Sequence, residues 1–492
     1  MDHGTNERDA RLVRAGVTLT LAVAAAVVVT GIGVRGFWVD EMITLNSVRL
    51  GWFEMVAERM RRGHPPLYFA LVKAWLDTTG RLSEVWLRLP SAVMWALAVG
   101  SFVPLAGRVL SRRAALMAVA VAALGGVGIN HACFARMYSM VFLVSVWLLR
   151  AHWECVMAPS APRRWIVVAL IAAVAGALTS PSVFLLLAGL LAHAWLDPRA
   201  CGARRPLVWA AAAAAMVYSP CLIAYFAAGR QIGPAASLPG SELVHLVSVV
   251  SGVSRVRDFA RDPHGLQAAR VLGGALTTAV LLTLALRWRS VPLPVRAAVT
   301  VVAVPFAIMA LLTAAEKATG LRVAFPGSDR YLMAVAPAGA LLTGWAVSQW
   351  IDKRAAAIAI ASWAALVVVL AVGGWSLLRA PIEPFRDAMR VLRRLHQPGD
   401  TVVIIPREIA EGVRFYVPQA KIAARFPTFA DADEVSASLS ALPRDRTIWY
   451  IRYRDRSPDA VRVAREVLGP FHTFSGRPEP AVIDVLRFDP PH

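Results

Sequence analysis

Long apolar stretches alternate with short, arginine-bearing polar ones through residues 1–378 of this 492-residue chain. A helix rising 1.5 Å per residue needs roughly 20 apolar residues to cross a bilayer, and many of the stretches approach that length. Spans are expected near Ala15–Val34, Leu87–Ala106, Ala114–Ile129, Met137–Leu149, Trp165–Leu178 and Ser182–Leu196. Further spans are expected near Leu207–Phe226, Val271–Leu286, Ala297–Leu312, Tyr331–Trp350 and Ala355–Leu378, giving a polytopic helical membrane protein of about eleven spans.

After Leu378 the pattern changes. Glu383 to Leu395 has helical periodicity, Thr401-Val402-Val403-Ile404-Ile405 and Thr447-Ile448-Trp449-Tyr450-Ile451 read as strands, Asp459 to Leu468 as a helix, and Ala481 to Phe488 as a closing strand. Two domains are therefore expected: a transmembrane domain, 1–378, and a small α/β domain, 379–492. The first long connection, 35–86, carries a candidate interfacial helix from Trp52 to Met60, with Trp52, Val56 and Met60 on one face and Glu54, Glu58 and Arg61 opposite. The segment from about Ala227 to Gln267 reads either as a lid or as a plain long connection. A third segment, Glu316 to Arg330, is short and basic.

Charge supplies the orientation. Lys and Arg in short loops accumulate on the cytoplasmic side, and Arg108/Arg112/Arg113, Arg150/Arg163/Arg164, Arg199/Arg204/Arg205, Arg287/Arg289/Arg296 and Lys353/Arg354 all fall on one side of this arrangement. Arg8, Arg11 and Arg14 of the amino tail join them. The amino terminus is thus expected in the cytoplasm, the α/β domain outside it, and the chain in the plasma (inner) membrane. The formal net charge of +20 then reflects topology and contact with anionic membrane lipids, and no nucleic-acid partner is expected. Cys133, Cys155, Cys201 and Cys221 are scattered without Cys-x-x-Cys spacing, which indicates neither a disulfide framework nor a zinc site.

Candidate chemistry centres on Asp40 and Glu41 in Phe37-Trp38-Val39-Asp40-Glu41, directly after the first apolar run. Ionisable groups at a membrane boundary usually mark function, while the bland alternative is a hydrated loop that happens to carry two acids. Three further motifs follow in order: His64-Pro65-Pro66-Leu67-Tyr68-Phe69, then Ser83-Glu84 with Arg88-Leu89-Pro90-Ser91, then Ala135-Arg136-Met137-Tyr138-Ser139. Asp329-Arg330-Tyr331-Leu332 precedes a late span, and Pro384-Phe385-Arg386-Asp387 with Pro398-Gly399-Asp400 opens the outer domain.

This order resembles the GT-C membrane glycosyltransferases, in particular the protein O-mannosyltransferase and aminoarabinose lipid A transferase branch. The resemblance is dense over the first third of the chain and returns at the last two motifs. It implies an inverting glycosyltransferase of the cell envelope that moves a sugar from a polyprenyl-phosphate donor to an extracytoplasmic protein, lipid or polysaccharide. By the same resemblance Asp40 is the general base and Glu41 a second carboxylate beside it. His64, Arg136, Tyr138, Arg330 and Tyr331 fall to the donor phosphate and substrate, although Arg136 also reads as an arginine snorkelling to headgroups and Tyr331 as an aromatic-belt residue. Where relatives carry a carboxylate two residues before the arginine of the Ala-Arg-Met-Tyr motif, this chain has Phe134. No His or Tyr stands at Thr179-Ser180-Pro181, where many relatives have one.

No metal site is assigned and no obligatory cofactor is expected; a Mg2+ or Mn2+ ion would need ligands beyond Asp40 and Glu41. The rival function is a transporter or flippase for lipid-linked sugars, which also needs many spans and buried charge. Such proteins often carry repeats and broken helices in matching halves, and no such symmetry is visible here.

Overall fold

The structure is a computed structural model that describes residues 3–158, 162–228, 250, 263–319, 329–350, 356–379, 385–426, 432–453, 458–474 and 483–490. They form two compact units, one comprising Met1–Ile32 with Trp52–Ala380, the other Gly33–Gly51 with Pro381–His492.

The first unit is a helical bundle. Every expected span falls on a helix: His3–Gly31, Glu84–Val109, the pair Arg112–Leu124 and Gly126–Ala132, Tyr138–Met157, Arg163–Ala177, Val183–Leu196, Arg204–Ala227, Pro263–Arg287, Leu293–Thr319, Ala336–Trp350 and Ala356–Arg379. Among the described residues six helices are long and apolar enough to cross a membrane, and the pair broken at Gly125, bent by 43°, adds a seventh if it counts as one span. Small residues let these helices approach closely, as is usual where lipid provides no hydrophobic drive for association. A Cβ on Gly344 would lie 2.5 Å from Ala118. The long lid-or-connection segment lies largely outside the described residues.

The second unit is built on a five-stranded sheet of order β2-β1-β3-β5-β4. β1 (Thr401–Ile405) runs parallel to β2 (Lys421–Arg425) and β3 (Ile448–Tyr453), while β5 (Ile483–Phe488) is antiparallel to both β3 and the short β4 (His472–Thr473). β1 is buried along its whole length, as its unbroken apolar run requires of a strand covered on both faces. The helix Phe385–Leu395 buries Phe385, Ala388, Met389 and Leu392, one face at helical spacing. β2 has no counterpart in the sequence reading. Its Lys421-Ile422-Ala423-Ala424-Arg425 is an edge strand with exposed positions alternating, too polar to stand out by hydropathy.

The division between the units falls at Ala380/Pro381, and Gly33–Gly51 groups with the sheet unit. Arg386 accounts for much of this. Its guanidinium donates to the carbonyls of Gly33 (3.0 Å), Val34 (3.1 Å) and Arg35 (2.7 Å). The Tyr416 hydroxyl accepts from the Phe37 amide at 3.0 Å, Phe37 packs on Phe415, and Asn46 donates to the Glu408 carbonyl at 2.8 Å. Glu411 pairs with both Arg49 and Arg414.

Candidate active site

Asp40 and Glu41 lie in the first turn of the helix Val39–Val48, whose N-cap is Trp38 in extended conformation. Carboxylates are favoured there by the helix dipole. Asp40 is half-buried and Glu41 fully buried. This helix belongs to the sheet unit and is seated on it by Met42, which leaves no room for a side chain at Gly412.

In the membrane unit three of the sequence motifs converge. The Tyr68 and Ser91 hydroxyls share a 2.7 Å hydrogen bond, and Ser91 also donates to the backbone carbonyl of Arg136 at 3.1 Å. Fully buried Arg88 donates to the Ile32 carbonyl at 2.8 Å, closing the end of the first helix. The Ala-Arg-Met-Tyr motif forms the non-helical turn between Gly126–Ala132 and Tyr138–Met157, so Arg136 leaves the backbone where no helix hydrogen bonding holds it.

Phe69 is the hub of the cations. The Arg59 guanidinium lies 4.9 Å from its ring centroid, that of Arg136 5.9 Å, and the His64 ring 6.5 Å. Arg59 is 1% exposed and Arg136 3%. Glu58 grips Arg59 through two bonds, 2.5 and 2.7 Å, and also pairs with Arg62. Burial pulls the Arg59 guanidinium below the usual arginine value and Glu58 pushes it back up, with Arg62 and Arg136 lowering it further. Arg59 and Arg62 share the Glu58 carboxylate and Arg136 stands near enough to Arg59 to depress it, a grouping of guanidiniums suited to an anion.

The turn that sets this geometry is Gly63. Its φ of 71° lies in the left-handed region open to glycine, and it reverses the chain between the helices Trp52–Arg61 and Leu67–Thr79. The first of these helices buries Met55 and Arg59, one residue off the Val56/Met60 face expected from its apolar pattern. Arg59 and Arg62 were therefore missed: hydropathy assigns arginines to the wet face, and only their partners Glu58 and Phe69 turn Arg59 inward. Tyr138 is buried with its ring 4.5 Å from that of His131. Arg330 and Tyr331 lie in the short helix Asp329–Ala334, and their side chains fall outside the described residues. Among the described residues no three His, Cys, Asp or Glu side chains gather to hold a metal ion, and the Asp40–Glu41 pair alone does not make a Mg2+ or Mn2+ cage.

Solved structures decide the architecture. Over 97% of this chain and 99% of the other, the fold matches ArnT from Cupriavidus metallidurans bound to undecaprenyl phosphate, with a TM-score of 0.58 at 15% identity. The chain has the GT-C fold. The archaeal oligosaccharyltransferase AglB from Archaeoglobus fulgidus, in complex with an inhibitory peptide and a dolichol-phosphate, matches over 93% of this chain and 73% of its own with a TM-score of 0.50 at 13% identity. No family model and no curated protein matches the sequence. The chain is thus a multi-pass helical membrane protein of GT-C fold carrying a small α/β domain.

Proposed function

We propose that this protein is an inverting glycosyltransferase that moves a sugar from a polyprenyl-phosphate donor to an extracytoplasmic acceptor. The observation that supports this best is the pair of buried guanidiniums, Arg59 and Arg136, over Phe69, with half-buried Arg62 on Glu58, in a fold whose solved example from Cupriavidus metallidurans binds undecaprenyl phosphate.

Cleavage of a glycosyl phosphodiester leaves negative charge on the lipid phosphate while the sugar becomes oxocarbenium-like, so preorganised cations lower the barrier. Arg136 takes this role, with Arg59 and Arg62 adding field. Arg330, Tyr331 and Tyr138 belong to the donor by resemblance, as does His64, which adds charge only when protonated. On the other face of the sugar an acceptor hydroxyl attacks the anomeric carbon, the bond to the phosphate oxygen breaks, and Asp40 receives the hydroxyl proton. Glu41 holds its neighbour in place. The anomeric centre inverts.

The test is transfer by the purified full chain, supplied with polyprenyl-phosphate sugars and membrane-extracted acceptors. Asp40→Asn is expected to abolish product with its elution profile and melting temperature unchanged; normal turnover by that variant defeats the assignment. Covalent product of inverted configuration also separates this function from a flippase, which yields translocated donor and no product.

A further inference from the structure

A groove opens in the membrane unit between three of its helices. The helices His3–Gly31, Arg112–Leu124 and Ala356–Arg379 run parallel here: the Trp363 indole donates to the Thr20 hydroxyl at 3.2 Å, Gly31 packs on Leu378, and Gly16 packs on Leu116. The groove between them has a cavity volume of about 200 Å³. That is below the ~300–1,000 Å³ usual for sites that bury a whole ligand, and is room for part of one chain.

Its floor is Gly16 and Ala359, and Leu19, Leu116 and Trp363 form its walls. A Cβ on Gly16 would meet Leu116 at 3.0 Å, so the missing side chain is what lets these helices close beneath the groove. The lining is apolar except for Arg113, one turn before Leu116. The groove runs along the first two turns of Arg112–Leu124, so the N-terminus of that helix faces the same end as that guanidinium. Apolar walls ending in positive charge complement an acyl chain ending in a phosphate. Arg136 lies beyond the other end of the bent helix pair, and the 13-residue helix Arg112–Leu124 alone separates the two by roughly 20 Å.

We infer that this groove is a binding site for an anionic glycerophospholipid, its acyl chain between Gly16, Leu116 and Trp363 and its phosphate at Arg113. The site is independent of the sugar-transfer reading and stands whether or not Asp40 is catalytic.

Native mass spectrometry of the full chain in detergent tests it, with phosphatidylglycerol, phosphatidylcholine of matched chains and undecaprenyl phosphate added in turn. The wild type is expected to retain phosphatidylglycerol about fivefold over phosphatidylcholine, the factor one arginine near a phosphate supplies. Arg113→Glu should remove that preference, Arg113→Lys should keep it, and Ala15→Phe, which fills the groove from its exposed side, should bring phosphatidylglycerol down to the phosphatidylcholine level. Equal retention of the two phospholipids by the wild type, or a preference unchanged in Arg113→Glu or Ala15→Phe, overturns the inference. Undecaprenyl phosphate displacing phosphatidylglycerol from this groove overturns the choice of occupant. Should Arg113→Glu fail to fold, the lysine and phenylalanine variants decide.

Discussion

Arg59 carries a positive charge into a setting with almost no water, and a single carboxylate holds it there. Removing one partner of such a pair leaves the other buried and uncompensated. Glu58→Gln is therefore expected to lower stability by on the order of 3 kcal/mol, read as a lower melting temperature in detergent, with Glu58→Gln/Arg59→Met recovering much of the loss. Tyr450 presents the opposite case. Its hydroxyl is buried in the sheet unit without a hydrogen-bond partner among the described residues, and burial raises its phenol above the ordinary value. Tyr450→Phe should stabilise by about 1 kcal/mol. The raised pKa fixes the sign of the pH effect: the contribution is whole below the unfolded value of about 10 and is lost as pH rises from there through the folded value. Alkaline melting curves should flatten in the phenylalanine variant. At this scale Asp40, Arg136 and His64 stand out in the sequence as candidates because short motifs flank them. Arg59 does not, since its inward turn depends on Phe69, ten residues on in another helix.

Elements were legible in proportion to how much of their burial is local. The spans and β1 have unbroken apolar runs and were read near their observed places, whereas β2 and the helices Ala410–Tyr416 and Ala432–Ser440 alternate polar and apolar residues over lengths too short to register. The segment Gly33–Gly51 is a different case: its motif is plain, but nothing in its hydropathy says which unit holds it. Arg386 does. Arg386→Ala should lose amide protection across Gly33–Gly51 in hydrogen exchange while β1 and β3 keep theirs, and Arg386→Lys should not restore it, because one ammonium cannot fork across three consecutive carbonyls.

For the whole molecule the distribution of arginines is the topology signal, and the chain carries its own probe of it. Of its four cysteines, Cys133, Cys155 and Cys221 are buried and Cys201 is exposed, in the loop with Arg199, Arg204 and Arg205. With the amino terminus inside, a membrane-impermeant maleimide should label Cys201 only after the cells are permeabilised; labelling of intact cells would invert the arrangement. The GT-C architecture was foreseen from motif order, but the pairing of the chain's beginning with its end was not, because contacts at that separation leave no periodic trace. That pairing has a consequence for biosynthesis. Arg386 and the Gly33 carbonyl it grips are 353 residues apart, so at the usual 5–20 residues per second a ribosome needs roughly 20 to 70 s to supply the partner. During that interval the nascent protein lacks the Arg386 clamp on the segment that leads into its acidic pair, and any chain terminated before residue 386 never acquires it.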